Sequence, residues 1–200
     1  RKMIRPATAL DVPSMLDIYA PYIRETTITF EYEVPAPDAF QARFAGITEK
    51  FPWLVWEERG RILGYAYASA PFERAAYAWC AEPSIYLRQD ARGRGIGKKL
   101  YAALEALLSQ MGYQVSFAII TGENRTSLAF HRALGYEKCA EMVKCGLKFG
   151  RWLDVEWLEK RLNPVEIPSN FPIAWNEFSK DAQKVQNILG KLSLSESEKV

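Results

Sequence analysis

Eight consecutive residues, Arg92-Gly93-Arg94-Gly95-Ile96-Gly97-Lys98-Lys99, set three glycines at alternate positions among four cations. Ser84-Ile85-Tyr86-Leu87 before them is β-prone, and the polar Arg88-Gln89-Asp90-Ala91 breaks that run. After them, Leu100, Leu104, Leu107, Leu108 and Met111 form one apolar stripe at helical spacing, closed by Gly112. The order is strand, glycine-basic loop, helix. The first turn of such a helix leaves backbone N–H groups unpaired, and its dipole favours negative charge there. Glycines remove the side chains that would keep an anion away. A phosphate or pyrophosphate is the natural ligand. The alternative is an exposed glycine turn with incidental charge, and the packing of glycines against cations favours the anion site. Two common phosphate loops are excluded. Residues 93–97 read GxGxG rather than GxGxxG, and Gly97-Lys98 is followed by Lys99 rather than Ser or Thr.

Two hundred residues, 48 % of them hydrophobic, suit one domain with a real core. The net charge of +2 argues against a general polyanion binder, so no nucleic-acid partner is expected. Cys80, Cys139 and Cys145 lack CxxC spacing and fit reduced thiols. No apolar run is long enough for a membrane span and no signal peptide pattern is visible, so a cytoplasmic location is expected. A single histidine, His131, and the absence of HExxH or a cysteine knuckle point away from a metal.

Along the chain, residues 3–7 read as a strand. Asp11 is placed to cap a helix that Pro21 should bend or shorten. Residues 26–32 are β-prone, as an edge strand or an active-site loop, and a second helix starts at residues 35–38. Residues 53–57 and 62–70 form a hairpin, and 79–87 a strand whose Pro83 should cause a bulge. Residues 115–120 are a strand, 124–134 a short helix ended by Gly135, and 141–149 and 151–157 two last strands. From residue 163 the prolines 164, 168 and 172 break regular structure. Residues 174–189 read as a helix that could dock through Trp175, Phe178 and Val185, and 192–200 as a frayed end. The expected organisation is a domain at 1–162 and an appendage at 163–200.

Arg92-x-x-Gly95-x-Gly97 resembles the acetyl-CoA pyrophosphate loop of the GNAT superfamily of N-acetyltransferases, Q/R-x-x-G-x-G/A. Asn124-x-x-Ser127-x-x-Phe130 followed by Gly135-Tyr136 looks like its second cofactor segment. Ile4-Arg5-Pro6-Ala7, residues 27–31, Trp79-Cys80-Ala81-Glu82 and residues 150–155 resemble the branch that acetylates phosphinothricin and methionine sulfone. The resemblance implies an α/β (α+β) fold, a central mixed and mostly antiparallel sheet splayed in the middle and flanked by helices. It also implies acetyl-CoA in the split, a small acidic amino acid as the amine acceptor, and a homodimer. Its cofactor contacts fall on Ile85, Tyr86, Leu87, Arg92, Gly93, Arg94, Gly95, Ile96, Gly97, Lys98, Asn124, Ser127 and Phe130. A different amine, such as a polyamine, drug or protein N-terminus, and a non-catalytic acyl-CoA-binding module remain as alternatives.

An amine is an ammonium at neutral pH and must lose a proton before it attacks a thioester. Glu82, two residues before the cofactor strand and beside the aromatics Trp79 and Tyr86, matches the branch's base position. Its alternative is a surface glutamate. The thioester oxygen is expected to meet a backbone N–H of Tyr86 or Leu87. The superfamily's tyrosine acid aligns with Phe130, which has no hydroxyl. His131, a water or no group then protonates the leaving sulfur. Phe30, Glu31, Arg74, Tyr77 and Trp79 are the candidate acceptor contacts.

Overall fold

The computed structural model describes residues 1–193. Seven strands form one sheet: β1 (Lys2–Pro6), β2 (Trp53–Glu58), β3 (Arg61–Ser69), β4 (Cys80–Leu87), β5 (Val115–Thr121), β6 (Glu137–Lys148) and β7 (Arg151–Arg161). Their spatial order is β1-β2-β3-β4-β5-β7-β6. All neighbours are antiparallel except β4 and β5. Four helices belong to the sheet's connections: α1 (Val12–Glu25), α2 (Pro37–Thr48), α3 (Ile96–Met111) and α4 (Arg125–Ala133). Two more follow β7: α5 (Trp175–Phe178) and α6 (Ala182–Ser193).

The sheet is two half-sheets with a weak joint. β4 and β5 pair only at Cys80↔Val115 and Ala81↔Ser116. Beyond Ala81 comes Pro83, which has no N–H to extend the ladder, and the strands part. The expected bulge at Pro83 is absent. Its register with β3 runs unbroken through Ser69↔Glu82, Ala68↔Pro83 and Tyr67↔Ser84. The missing donor lies on the other edge of β4 and ends the pairing there.

Alternation along β4 sorts its side chains between two cores. Ala81, Ile85 and Leu87 pack with Leu100, Ala103, Leu104 and Leu107 of α3. Tyr86 faces the opposite way, into an aromatic cluster with Tyr19 and Tyr22 of α1 and Tyr65 of β3. Glu82 and Ser84 share the parity of Tyr86, so they belong to the α1/α2 side.

Several local expectations are corrected. Asp11 does not cap α1 with its side chain. Its carboxylate instead takes two hydrogen bonds from Arg5 and one from the Thr8 N–H, all at 2.8 Å. Pro21 does not shorten α1, which continues to Glu25 because Tyr22 and Ile23 are buried. Residues 26–32 are an irregular loop, not a strand. In the tail, Trp175, Phe178, Val185 and Leu189 enter the same core as Leu54 and Leu104. Its single expected helix is two, interrupted at residues 179–181. Residues 192–193 are helical, and the rest of the expected frayed end, 194–200, lies outside the described residues.

Candidate active site

Gly95 caps α3 at φ +77°, and Gly93 stands at φ +73°. A Cβ built on either would meet no atom within 4 Å. The space above the loop is therefore open, and the N–H groups of Ile96, Gly97 and Lys98 lead into it from the first turn. Gly97 is different: a Cβ there would lie 3.4 Å from the Phe130 ring and 3.5 Å from Ile85 Cδ1. It marks where α3, α4 and β4 meet closely. Three of the four loop cations are held by the protein itself. Arg92 donates to the Tyr22 hydroxyl at 2.8 Å and stacks over that ring, while Arg94 pairs with Glu58 at 2.7 Å. Lys98 is exposed, and Lys99 lies over the Trp56 ring.

Below the loop, the parted edges of β4 and β5 bound a cleft. Ser84, Ile85 and Tyr86 line one wall and residues 118–120 the other, with Tyr101 of α3 and Asn124, Ser127 and His131 of α4 behind them. Asn124 also caps α4, accepting from the Ser127 N–H at 3.2 Å. Backbone direction along β4 follows from the Arg88 N–H, which donates to the Leu63 carbonyl of β3 at 2.8 Å. By alternation the Tyr86 N–H also points to β3, and those of Ile85 and Leu87 point into the split. Of the two expected oxyanion donors, the geometry leaves Leu87. Glycine loop, free strand edge and cleft together fit a pyrophosphate with a thin extended arm, the shape of acetyl-CoA.

Glu82 sits where β4 leaves β5. Burial pushes its carboxyl up to about 7. Tyr67 and Tyr101 both sense its charge. Trp79, expected beside it, lies on the other side of the sheet, stacked on Phe171 at 4.8 Å.

His131, 3 % exposed, is a buried titratable group of the cleft. Its Nδ1 lies 2.7 Å from the Ser127 carbonyl and must donate there, so Nε2 accepts from the Tyr101 hydroxyl at 2.6 Å. Burial lowers its pKa despite that carbonyl, which keeps the ring neutral. Phe130 packs edge-on against Tyr101. The hydroxyl missing at Phe130 is thus present nearby on Tyr101, a residue sequence reading passed over because it lies inside the apolar stripe of α3. Cys80 has its thiol pKa raised by burial, which disfavours a thiolate acetyl carrier.

The acceptor candidates do not form one cluster. Phe30 lies on Gly146 of β6, so close that a Cβ there would be 2.3 Å from its ring. Glu31 is held by two hydrogen bonds from Arg43 of α2, at 2.6 and 3.0 Å, and one from the Tyr19 hydroxyl. Burial acts to raise its pKa, but these donors lower it overall. Lys148, 3 % exposed, donates to the Thr29 carbonyl at 2.8 Å and pins the same loop from β6. Arg74 is exposed on the β3–β4 connection, and Tyr77 packs on Phe72 at 4.4 Å. Sequence reading missed Arg43, since nothing in α2 announces a partner twelve residues upstream.

A family model described as the acetyltransferase (GNAT) domain matches residues 4–165. A phosphinothricin N-acetyltransferase of Streptomyces viridochromogenes is 33 % identical over 157 residues, 78 % of this chain and 86 % of its own. An L-methionine sulfoximine/L-methionine sulfone acetyltransferase of Pseudomonas paraeruginosa is 38 % identical over 166 residues, covering 80 % and 95 %. A crystal structure of a phosphinothricin acetyltransferase from Sinorhizobium meliloti, in complex with acetyl-CoA, superposes with a TM-score of 0.82. It is 36 % identical, over 88 % of this chain and 98 % of that one. The chain belongs to the GNAT family of acetyltransferases. It is an acetyl-CoA-dependent N-acetyltransferase, and acetyl-CoA is its co-substrate.

Proposed function

We propose that the enzyme acetylates the amine of a small acidic amino acid of the phosphinothricin or methionine sulfoximine type, by direct attack within a ternary complex. The observation that carries this reading is Glu82, half-buried at the point where the half-sheets part, with a carboxyl that desolvation pushes up to about 7. A base so tuned is about half ionised at physiological pH, and can take an ammonium proton without holding it irreversibly. The Leu87 N–H is the donor for the developing oxyanion. The Tyr101 hydroxyl lines the cleft but gives its proton to His131 Nε2, so a water or no group protonates the leaving sulfur. The proton that nitrogen loses in forming the amide balances the one that sulfur gains.

Acceptor chemistry is read from the charges around the loop of residues 26–32. Glu31 is committed to Arg43, and Lys148 brings a buried cation to the same loop. A polyamine would need free carboxylates there, whereas an acidic amino acid finds cations in Lys148 and, from the β3–β4 connection, Arg74. The relatives named for phosphinothricin and methionine sulfoximine support this class. The test is release of coenzyme thiol from acetyl-CoA against phosphinothricin, methionine sulfoximine, methionine sulfone, the common amino acids and spermidine. Turnover confined to the first three supports the reading. A preference for spermidine or for neutral amino acids would overturn the acceptor class.

The enzyme acts as a homodimer in this proposal. β6 is an edge strand of twelve residues, and Met142, Val143, Leu147, Phe149 and Trp152 are exposed on the β6–β7 hairpin. So much apolar surface on one unpaired edge suits a second copy of the chain. Light scattering on the parent and on Val143→Lys checks this; a monomeric parent would overturn it. Among the described residues no helix is long and apolar enough to cross a membrane. The three free cysteines support a reducing, cytoplasmic location.

A further inference from the structure

We propose that the segment following β7 is a clamp that positions the catalytic edge of β4, acting through Trp79 on Glu82 three residues later. The inference rests on the reading of Glu82 as the base. The joint between the half-sheets is small, two residue pairs, and Trp79 stands immediately before it. The Trp79 carbonyl accepts from the N–H groups of Gln114 and Val115, at 2.9 and 3.4 Å, and so forms the joint's first link.

The indole of Trp79 is held entirely by the tail. Its ring stacks on Phe171, centroids 4.8 Å apart and planes within 16°. Its Nε1–H donates to the Asn170 carbonyl at 3.2 Å. The strap that carries these two residues is fixed on both sides. Before it, the Leu162 N–H donates to the Gln114 carbonyl at 2.9 Å, and the Asn163 amide donates to the Ser109 and Tyr113 carbonyls at 3.1 and 2.8 Å. After it, the Ile173 N–H donates to the Met111 carbonyl at 2.9 Å, and Trp175 and Phe178 are buried. The strap therefore ties the start of β4 to the C-terminal end of α3. The match to the family model ends at residue 165, before Asn170 and Phe171.

A two-pair joint leaves the angle between the half-sheets weakly determined by the sheet itself. That angle decides whether Glu82 stays out of water and within reach of the amine. Clamping Trp79 fixes both. Tyr67 of β3 and Tyr101 of α3 are the titratable groups that sense Glu82 from the elements packed against it.

Phe171 is 63 % exposed, so its removal leaves the core intact. The test uses the full chain and compares the parent, Phe171→Ala, Phe171→Tyr and Glu82→Gln, with kcat and both KM values followed over pH. Expected for Phe171→Ala is a kcat lower by about tenfold with little change in the acetyl-CoA KM, as misplacement of a catalytic group produces. The acidic limb of its pH profile should move down, toward an ordinary carboxylate, as water reaches Glu82. Phe171→Tyr, which keeps the stack, should restore both. An inactive Glu82→Gln together with an unaltered kcat and limb in Phe171→Ala would overturn the clamp alone, even if that variant melts lower. A Glu82→Gln enzyme with the parent's activity and limb would overturn the base, and the clamp with it.

Discussion

A carboxyl that titrates near 7 in the folded chain and near 4.5 when exposed binds its proton more tightly in the native state. Activity and stability then depend on pH in opposite directions. In the proposed mechanism the amine needs ionised Glu82, so kcat/KM should fall as pH drops below about 7, one proton at a time. Glu82→Gln should abolish that limb and lower kcat by about 10²–10⁴-fold, read from initial rates of thiol release. Stability runs the other way. Between about pH 4.5 and 7 the unfolded chain ionises first, so the native state loses stability as pH rises through that window. Glu82→Gln should therefore melt higher than the parent above pH 7, by up to about 3 kcal/mol, and equally at about pH 4. Equal melting temperatures at high pH would show that Glu82 is hydrated. The glycine loop was legible because its chemistry is written in one short stretch, whereas Glu82 was singled out by the resemblance. Tyr101 with His131, and Glu31 with Arg43, were not legible. Each pair joins residues thirty or twelve positions apart on different elements, and only the packing makes them partners.

At the scale of elements, the loop before α3 depends on backbone shape more than on charge. Arg94 is neutralised by Glu58, whereas Gly95 holds φ +77°, a conformation that costs an L residue about 1–2 kcal/mol. Gly95→Ala should raise the acetyl-CoA KM about tenfold and leave kcat at saturation near the parent value; calorimetric titration with acetyl-CoA would check the binding loss. The loop of residues 26–32 makes the complementary case. Its β-branched residues read as a strand, yet Thr27, Thr29 and Tyr32 spend their polar groups on other elements. Thr27 bonds Glu123, its carbonyl accepts from Thr121, and Tyr32 bonds the Leu147 carbonyl. The loop thus spans from the α1 side to the β5–β7 side. Gly146→Ala should push the Phe30 ring off β6 and raise the acceptor KM while sparing that of acetyl-CoA. Equal changes in both constants would show that Phe30 is not an acceptor wall. Such cross-bridges are long-range, and no local pattern in 26–32 encodes them.

For the molecule as a whole, the mostly antiparallel sheet and its central split followed from the resemblance, while the strand order and the place of the tail did not. Its prolines announced a break, but the spacing of Trp175, Phe178, Val185 and Leu189 said only that one face was apolar, not which surface it would cover. Trp175 is 6 % exposed, and Trp175→Ala should cost about 3–5 kcal/mol, measured by urea unfolding. A loss under about 1 kcal/mol would mean that the tail is dispensable to the core. Because α6 packs on β1 and its Val185 and Leu189 share a core with Ile4, the first and last described elements are spatial neighbours. A ribosome delivers them in the least convenient order. The nascent chain carries its finished active-site loop while the apolar face meant for α5 and α6 is still bare, and it must wait for those two helices to clear the exit tunnel. Synthesis that stalls after β7 would release a chain with the cofactor-binding motifs already present but a sticky, incomplete core, a natural client for a chaperone.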